Sequence, residues 1–174
     1  MEKKNKKCWI NSLGDNLVRF LSGYIINTLE FLKLIGYVHM NIKPENLFLN
    51  SKMIPYLFNL KMMTKTKSST SNNTFFNYKY FHANSDEMPV NEISPELLRP
   101  YNDIKVNSYN IDTYGFGITL YYMYFGSYPF EVKKSNYLTK NDKYNLVKEK
   151  LKQVKSSLNS GNIDGEIAIL FKGK

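Results

Sequence analysis

Apolar and polar positions fall in blocks along this chain, and their spacing predicts the elements. Leu17, Leu21, Ile25, Leu29 and Leu32 recur at spacings of 4, 4, 4 and 3, which puts them on one face of a helix. The pattern predicts a helix over 17–34 that stops near Gly36. Tyr37 to Leu49 contains Pro44 and runs out at Asn50 and Ser51, so it reads as short strand and loop. Residues 61–88 are dominated by Lys, Thr, Ser and Asn, with no acid between Lys61 and Ser85. Such a stretch buries too little apolar surface to offset its ordering entropy, and it is expected to be mobile. Ser94-Pro95-Glu96 begins a short helical turn, with proline where its missing N–H does no harm. Asp112 to Phe125 is apolar nearly all the way round, so this helix belongs in the middle of the domain, and Gly126, Ser127 and Pro129 end it. Tyr144, Val147, Leu151, Val154 and Leu158 fall at spacings of 3, 4, 3 and 4. That stripe reads as a surface helix packed on the core, since two heptads are too few for a coiled coil.

Composition narrows the classes. With 174 residues, 43% hydrophobic and 15% aromatic, the chain holds enough apolar material for one folded domain. We divide it into a polar segment, 1–15, and a folded unit, 16–174. No run approaches the roughly 18–20 apolar residues of a membrane-spanning helix, and the Lys cluster at 3–7 leads into Trp9, Ile10, Asn11 and Ser12, which is no secretory signal. The expected compartment is intracellular, in the cytoplasm. A single cysteine, Cys8, makes no internal disulfide, and no Cys/His spacing suggests a metal site. The net charge of +9 invites a polyanion-binding reading. Only Arg19 and Arg99 are arginines, however, and base readout leans on the arginine fork. Specific nucleic-acid recognition is therefore not expected, and a non-specific basic module remains an alternative.

The stretch His39-Met40-Asn41-Ile42-Lys43-Pro44-Glu45-Asn46 resembles the catalytic loop of protein kinases, H-R-D-L-K-P-E-N, and agrees at His39, Lys43, Pro44, Glu45 and Asn46. The family's long preceding helix corresponds to Leu17–Leu34. Its metal-binding D-F-G, about 18 positions beyond the catalytic aspartate, falls on Asn59-Leu60-Lys61. Ser94-Pro95-Glu96 resembles the A-P-E that closes the activation segment. Asp112-Thr113-Tyr114-Gly115-Phe116-Gly117, running on to Gly126 and Tyr128-Pro129-Phe130, resembles D-x-W-S-x-G and its G-x-x-P-F exit. The resemblance spans residues 20–130. It implies a mainly α fold, the C-terminal lobe of a Ser/Thr-kinase-like domain with a short β-hairpin around the catalytic loop. The nucleotide-binding N-terminal lobe is expected to be absent and the C-terminal end incomplete, with Ile163–Lys174 opening a helix that stops early.

The resemblance also assigns roles, and the departures fall on them. Asn41 stands at the catalytic aspartate, where an amide can orient a hydroxyl but cannot accept its proton at neutral pH. Asn59 stands at the first magnesium ligand, although magnesium prefers charged oxygen. Asn46 matches the second metal ligand and Lys43 the lysine that contacts the transferred phosphate. His39 and Asp112 are structural in the family, with Asp112 capping the loop backbone. Glu96 is structural too and is expected to be solvated, paired with Arg99 or left in a loosened region. Lys61 replaces a glycine and is expected to shift or strain that hinge. Met40 replaces the arginine that would dock a phosphorylated segment. These substitutions imply an inactive kinase-like fragment, a pseudokinase acting through an unidentified protein partner. No cofactor is expected, and ATP with Mg²⁺ would bind only if a missing N-terminal lobe were supplied. The alternative is part of an active ATP-dependent Ser/Thr kinase whose gene model is truncated.

Overall fold

The structure, a computed structural model, describes residues 14–66, 92–98, 108–132 and 139–159. The first helix, α1 (Gly14–Leu34), starts three residues earlier than the leucine spacing predicts. Asp15 in its first turn complements the helix N-terminus and pairs with Arg19 one turn on, Oδ2 to Nε 2.6 Å. Val18, Leu21, Ile25 and Leu32 are buried, and Leu17 and Leu29 are packed beside them. Gly36 ends the helix in the left-handed region at φ +74°, its N–H returning to the Lys33 carbonyl at 3.1 Å.

The chain then enters β1 (Tyr37–Val38), which pairs antiparallel with β4 (Thr64–Lys65), Val38 opposite Thr64. Thr66 closes this junction, its N–H and hydroxyl both donating to the Gly36 carbonyl, at 2.8 and 3.0 Å. Residues 61–66, expected to be mobile, are therefore held. Met62 is buried in the core, within a 3₁₀ turn (Leu60–Met62) that leads into β4. A polar composition concealed that single apolar anchor. Residues 67–88 of the same stretch, the segment 1–13, Arg99 and the tail Ile163–Lys174 lie outside the described residues.

Between these strands, β2 (Leu47–Leu49) and β3 (Pro55–Leu57) form the expected hairpin, Phe48 opposite Tyr56. Its turn is organised by Asn50, whose Oδ1 accepts the N–H groups of Lys52 and Ile54, each at 2.9 Å.

The second long helix, α2 (Ser108–Phe125), lies between two apolar clusters. Ile111 and Ile118 join Val38, Met40, Met62, Leu97 and Val147 in one, and Met123 joins Val18, Leu21, Ile25 and Ile42 in the other. This central position agrees with the nearly uniform apolarity of the helix. The third, α3 (Lys140–Asn159), is capped reciprocally: Thr139 N–H donates to Asp142 Oδ2 at 2.9 Å and Asp142 N–H to Thr139 Oγ1 at 3.2 Å. Val147 is fully buried on the core, with Tyr144, Leu151 and Val154 packed around it, as the stripe predicts.

Gly115 sets how closely α2 approaches the loop at 39–46. A Cβ there would meet the Ile42 carbonyl oxygen at 2.8 Å and Ile42 Cβ at 3.0 Å, whereas one at Gly117 would meet nothing within 4 Å. Alanine in a helix interior ordinarily gains about 1 kcal/mol over glycine. Gly117→Ala is expected to raise stability by up to that amount. Gly115→Ala is expected to lower it by about 1–3 kcal/mol through overpacking. Urea unfolding midpoints of the two variants give the signs directly.

Candidate functional site

Residues 39–46 leave β1 and cross in front of α2. Asp112, on the first turns of α2, receives the His39 N–H on Oδ2 at 2.7 Å and the Met40 N–H on Oδ1 at 2.6 Å. Met40 has a φ of +65°, in the left-handed region that bulky side chains avoid, and the two bonds hold it there. Its side chain is buried in the core. His39 is fully buried, and its Nδ1 accepts the Asn41 N–H at 3.2 Å, which leaves the ring proton on Nε2.

Burial governs both titrations. It pulls the His39 imidazole down to about 4, with the Phe58 backbone acting the other way. It pushes the Asp112 carboxyl up to about 6, against the His39 and Met40 N–H groups, which favour the charged form.

The amide positions come together. Asn46 Nδ2 donates to the Asn41 backbone carbonyl at 2.8 Å, and Asn59 Nδ2 lies 3.4 Å from Asn46 Oδ1. Asn41 is buried, and its Oδ1 has no hydrogen-bond partner. Asn59 carries the hinge conformation itself, at φ +63°, which asparagine tolerates better than most residues. Lys61 sits in the 3₁₀ turn that follows, away from the left-handed region.

Lys43 is engaged elsewhere. Its Nζ lies 2.9 Å from Glu92 Oε2. Glu92 Oε1 lies 3.2 Å from the Tyr128 hydroxyl, which donates to Glu45 Oε1 at 2.8 Å. Burial first, then Glu45 and Glu92, pushes the Tyr128 phenol upward, so it stays a neutral donor. Asn41, Lys43 and Glu92 line a cavity of about 10 Å³, room for no more than one water. Glu96 is half-buried and accepts the Ser94 hydroxyl; its charge, after burial, raises the Tyr114 phenol. Glu92 and Tyr128 went unassigned in the sequence. Their partners lie 49 and 36 residues away, so no local spacing marks them, and only an acid standing just before Ser94-Pro95-Glu96 hinted at one.

The donor set does not fit a magnesium ion. Asn46 Oδ1, the oxygen that would face the metal, has the Asn59 N–H₂ beside it instead of a second oxygen. Neither group is charged, and a hard divalent cation needs charged oxygens to offset its dehydration. Among the described residues, no three His, Cys, Asp or Glu side chains converge as a metal cluster.

This loop, its anchoring helix and its following hairpin define a protein kinase domain. A model of that domain matches residues 3–166, and the chain belongs to the family. It is similar to serine/threonine-protein kinase PKH1 of Saccharomyces cerevisiae, 32% identical over 131 residues that cover 74% of this chain and 16% of that protein. It is also similar to 3-phosphoinositide-dependent protein kinase 1 of Rattus norvegicus, 29% identical with 70% and 20% covered, and to flippase kinase 1 of S. cerevisiae, 24% identical with 78% and 16% covered. The chain thus spans a fifth or less of the length of these relatives. Among the described residues no helix is long and apolar enough to cross a membrane.

The His39 shift gives a pH signature. Between its ordinary value of 6.5 and about 4, only the unfolded chain takes up the proton, so its contribution to stability is lost on acidification. Asp112 acts oppositely between about 6 and 3.8, where only the folded chain holds the proton. His39→Asn keeps an acceptor for the Asn41 N–H but does not titrate. The stability advantage of wild type over this variant is expected to narrow as pH falls from 6.5 to 4. The slope is up to about 1.4 kcal/mol per pH unit, read from urea midpoints at each pH. A constant gap would show that His39 titrates alike in both states.

Proposed function

We propose that this chain is a kinase-like C-terminal lobe without phosphotransferase activity, a pseudokinase that acts by binding another protein. The observation that carries the reading is the run of amides from Asn59 through Asn46 to the Asn41 backbone. Phosphoryl transfer depends on positioning and charge neutralisation, and in this loop the groups at the carboxylate positions are neutral. Asn41 can accept a hydrogen bond from a hydroxyl but has no basicity with which to take its proton. Loss of a general base commonly costs a hundredfold to ten-thousandfold, on the order of the whole acid–base contribution. Asn46 and Asn59 hold each other in place of a metal, and Lys43, the residue matching the phosphate-contacting lysine, is paired with Glu92.

The hairpin supports the binding side of the reading. Phe48, Met53, Tyr56, Phe58 and Leu60 are each about half exposed or more, and Phe48 and Phe58 meet edge to face with centroids 5.7 Å apart. Contiguous apolar surface of this kind is the mark of protein association.

A radiolabelled-phosphate transfer assay on the purified chain, with Mg²⁺ or Mn²⁺ and generic Ser/Thr substrates, is expected to read at background. Thermal unfolding is expected to be unmoved by millimolar Mg²⁺. Turnover that disappears on Lys43→Ala would overturn the proposal in favour of an active kinase.

A further inference from the structure

We propose that Glu92 is a built-in carboxylate latch, occupying Lys43 as a phosphate group would and closing this loop to outside anions. The inference rests on reading Lys43 as the counterpart of the phosphate-contacting lysine, and it adds what now fills that position. The pair is no passing surface contact. The side chains of Lys43 and Glu92 are only 20% and 5% exposed, and both Glu92 oxygens are engaged, Oε2 by Lys43 Nζ at 2.9 Å and Oε1 by the Tyr128 hydroxyl at 3.2 Å. That hydroxyl shares its one proton between Glu92 and, at 2.8 Å, Glu45, the second residue after Lys43, so one phenol ties the latch to the loop it closes. The cavity of about 10 Å³ beside Asn41, Lys43 and Glu92 has room for no more than a water and none for a phosphate.

An incoming phosphate carries more charge than a carboxylate and would bond the ammonium more strongly. It must nevertheless give up its translational freedom and dislodge a side chain that is already in position. The internal anion therefore wins at ordinary ligand concentrations. An anion that needs the latch open sees its affinity reduced by the fraction of time the latch is open. Neutralising Glu92 removes the competitor while leaving Lys43, Asn41 and Tyr128 in place.

Binding of inorganic phosphate, followed by ³¹P line broadening, tests this on wild type, Glu92→Gln and the double variant Glu92→Gln/Lys43→Gln. Phosphate is expected to bind Glu92→Gln at least about tenfold more tightly than wild type, and the gain is expected to vanish in the double variant. AMP and phosphoserine as parallel probes distinguish a nucleotide source from a phosphoprotein one, and a Lys43-dependent gain with any of the three supports the latch. No gain in a Glu92→Gln protein with wild-type circular dichroism overturns it. If that variant does not fold, reductive methylation of wild type mapped by mass spectrometry decides: Lys43 is expected to react far more slowly than the exposed Lys52 and Lys65, at a rate that phosphate leaves unchanged. Equal rates overturn the latch. Phosphate transfer by wild type would instead overturn the inactive reading, a separate measurement with a separate outcome.

Discussion

The carboxylate of Asp112 determines where everything in the loop stands. It reaches from α2 to the N–H groups of two consecutive residues, and one of them, Met40, occupies a backbone region that costs a bulky residue about 1–2 kcal/mol. Hydrogen bonds to a charged acceptor contribute about 1.5–3 kcal/mol each, so the pair is strong enough to hold that conformation. The close passage of α2 at Gly115 brings the carboxylate within reach, and the buried His39 beneath fixes the next residue, Asn41, through its ring. Scaffold and loop are one construction.

The polar groups that the scaffold presents are mostly amides. A charged loop needs counter-ions to be stable, and a neutral one can satisfy itself. Asn59 meets the Asn46 amide, which in turn bonds the Asn41 backbone, and Lys43 has its own carboxylate partner from a distant part of the chain. The charged and amide groups of the loop thus meet partners within the chain, while two buried atoms, Asn41 Oδ1 and His39 Nε2, have none.

Much of this was legible along the chain because local rules carried it. The leucine spacing of α1, the unbroken apolarity of α2 and the Val147 stripe of α3 each report a burial pattern that the packed structure repeats. The loop motif located His39, Asn41, Lys43, Asn46, Asn59 and Asp112, and the fold brings all six to one region. The illegible parts were those decided by tertiary partners. The ordering of residues 61–66 depends on Met62 finding the core and Thr66 finding Gly36. The positive φ of Asn59 is a backbone property that the order of residues does not announce, although asparagine bears it at lower cost than most. Glu92 and Tyr128 acquire meaning only through residues dozens of positions away.

The contact between Asn59 and Asn46 has an evolutionary side. Codons for asparagine and aspartate differ in a single base, so an acid at position 59 is mutationally near. The amide of Asn46 is not free to accommodate it, since turning that group over to offer its N–H₂ would break its bond to the Asn41 backbone. An aspartate arriving alone would set oxygen against oxygen, and would be tolerated only where a cation was already at hand. Positions 46 and 59 are thus coupled, and a charge introduced at one of them makes a demand on the other.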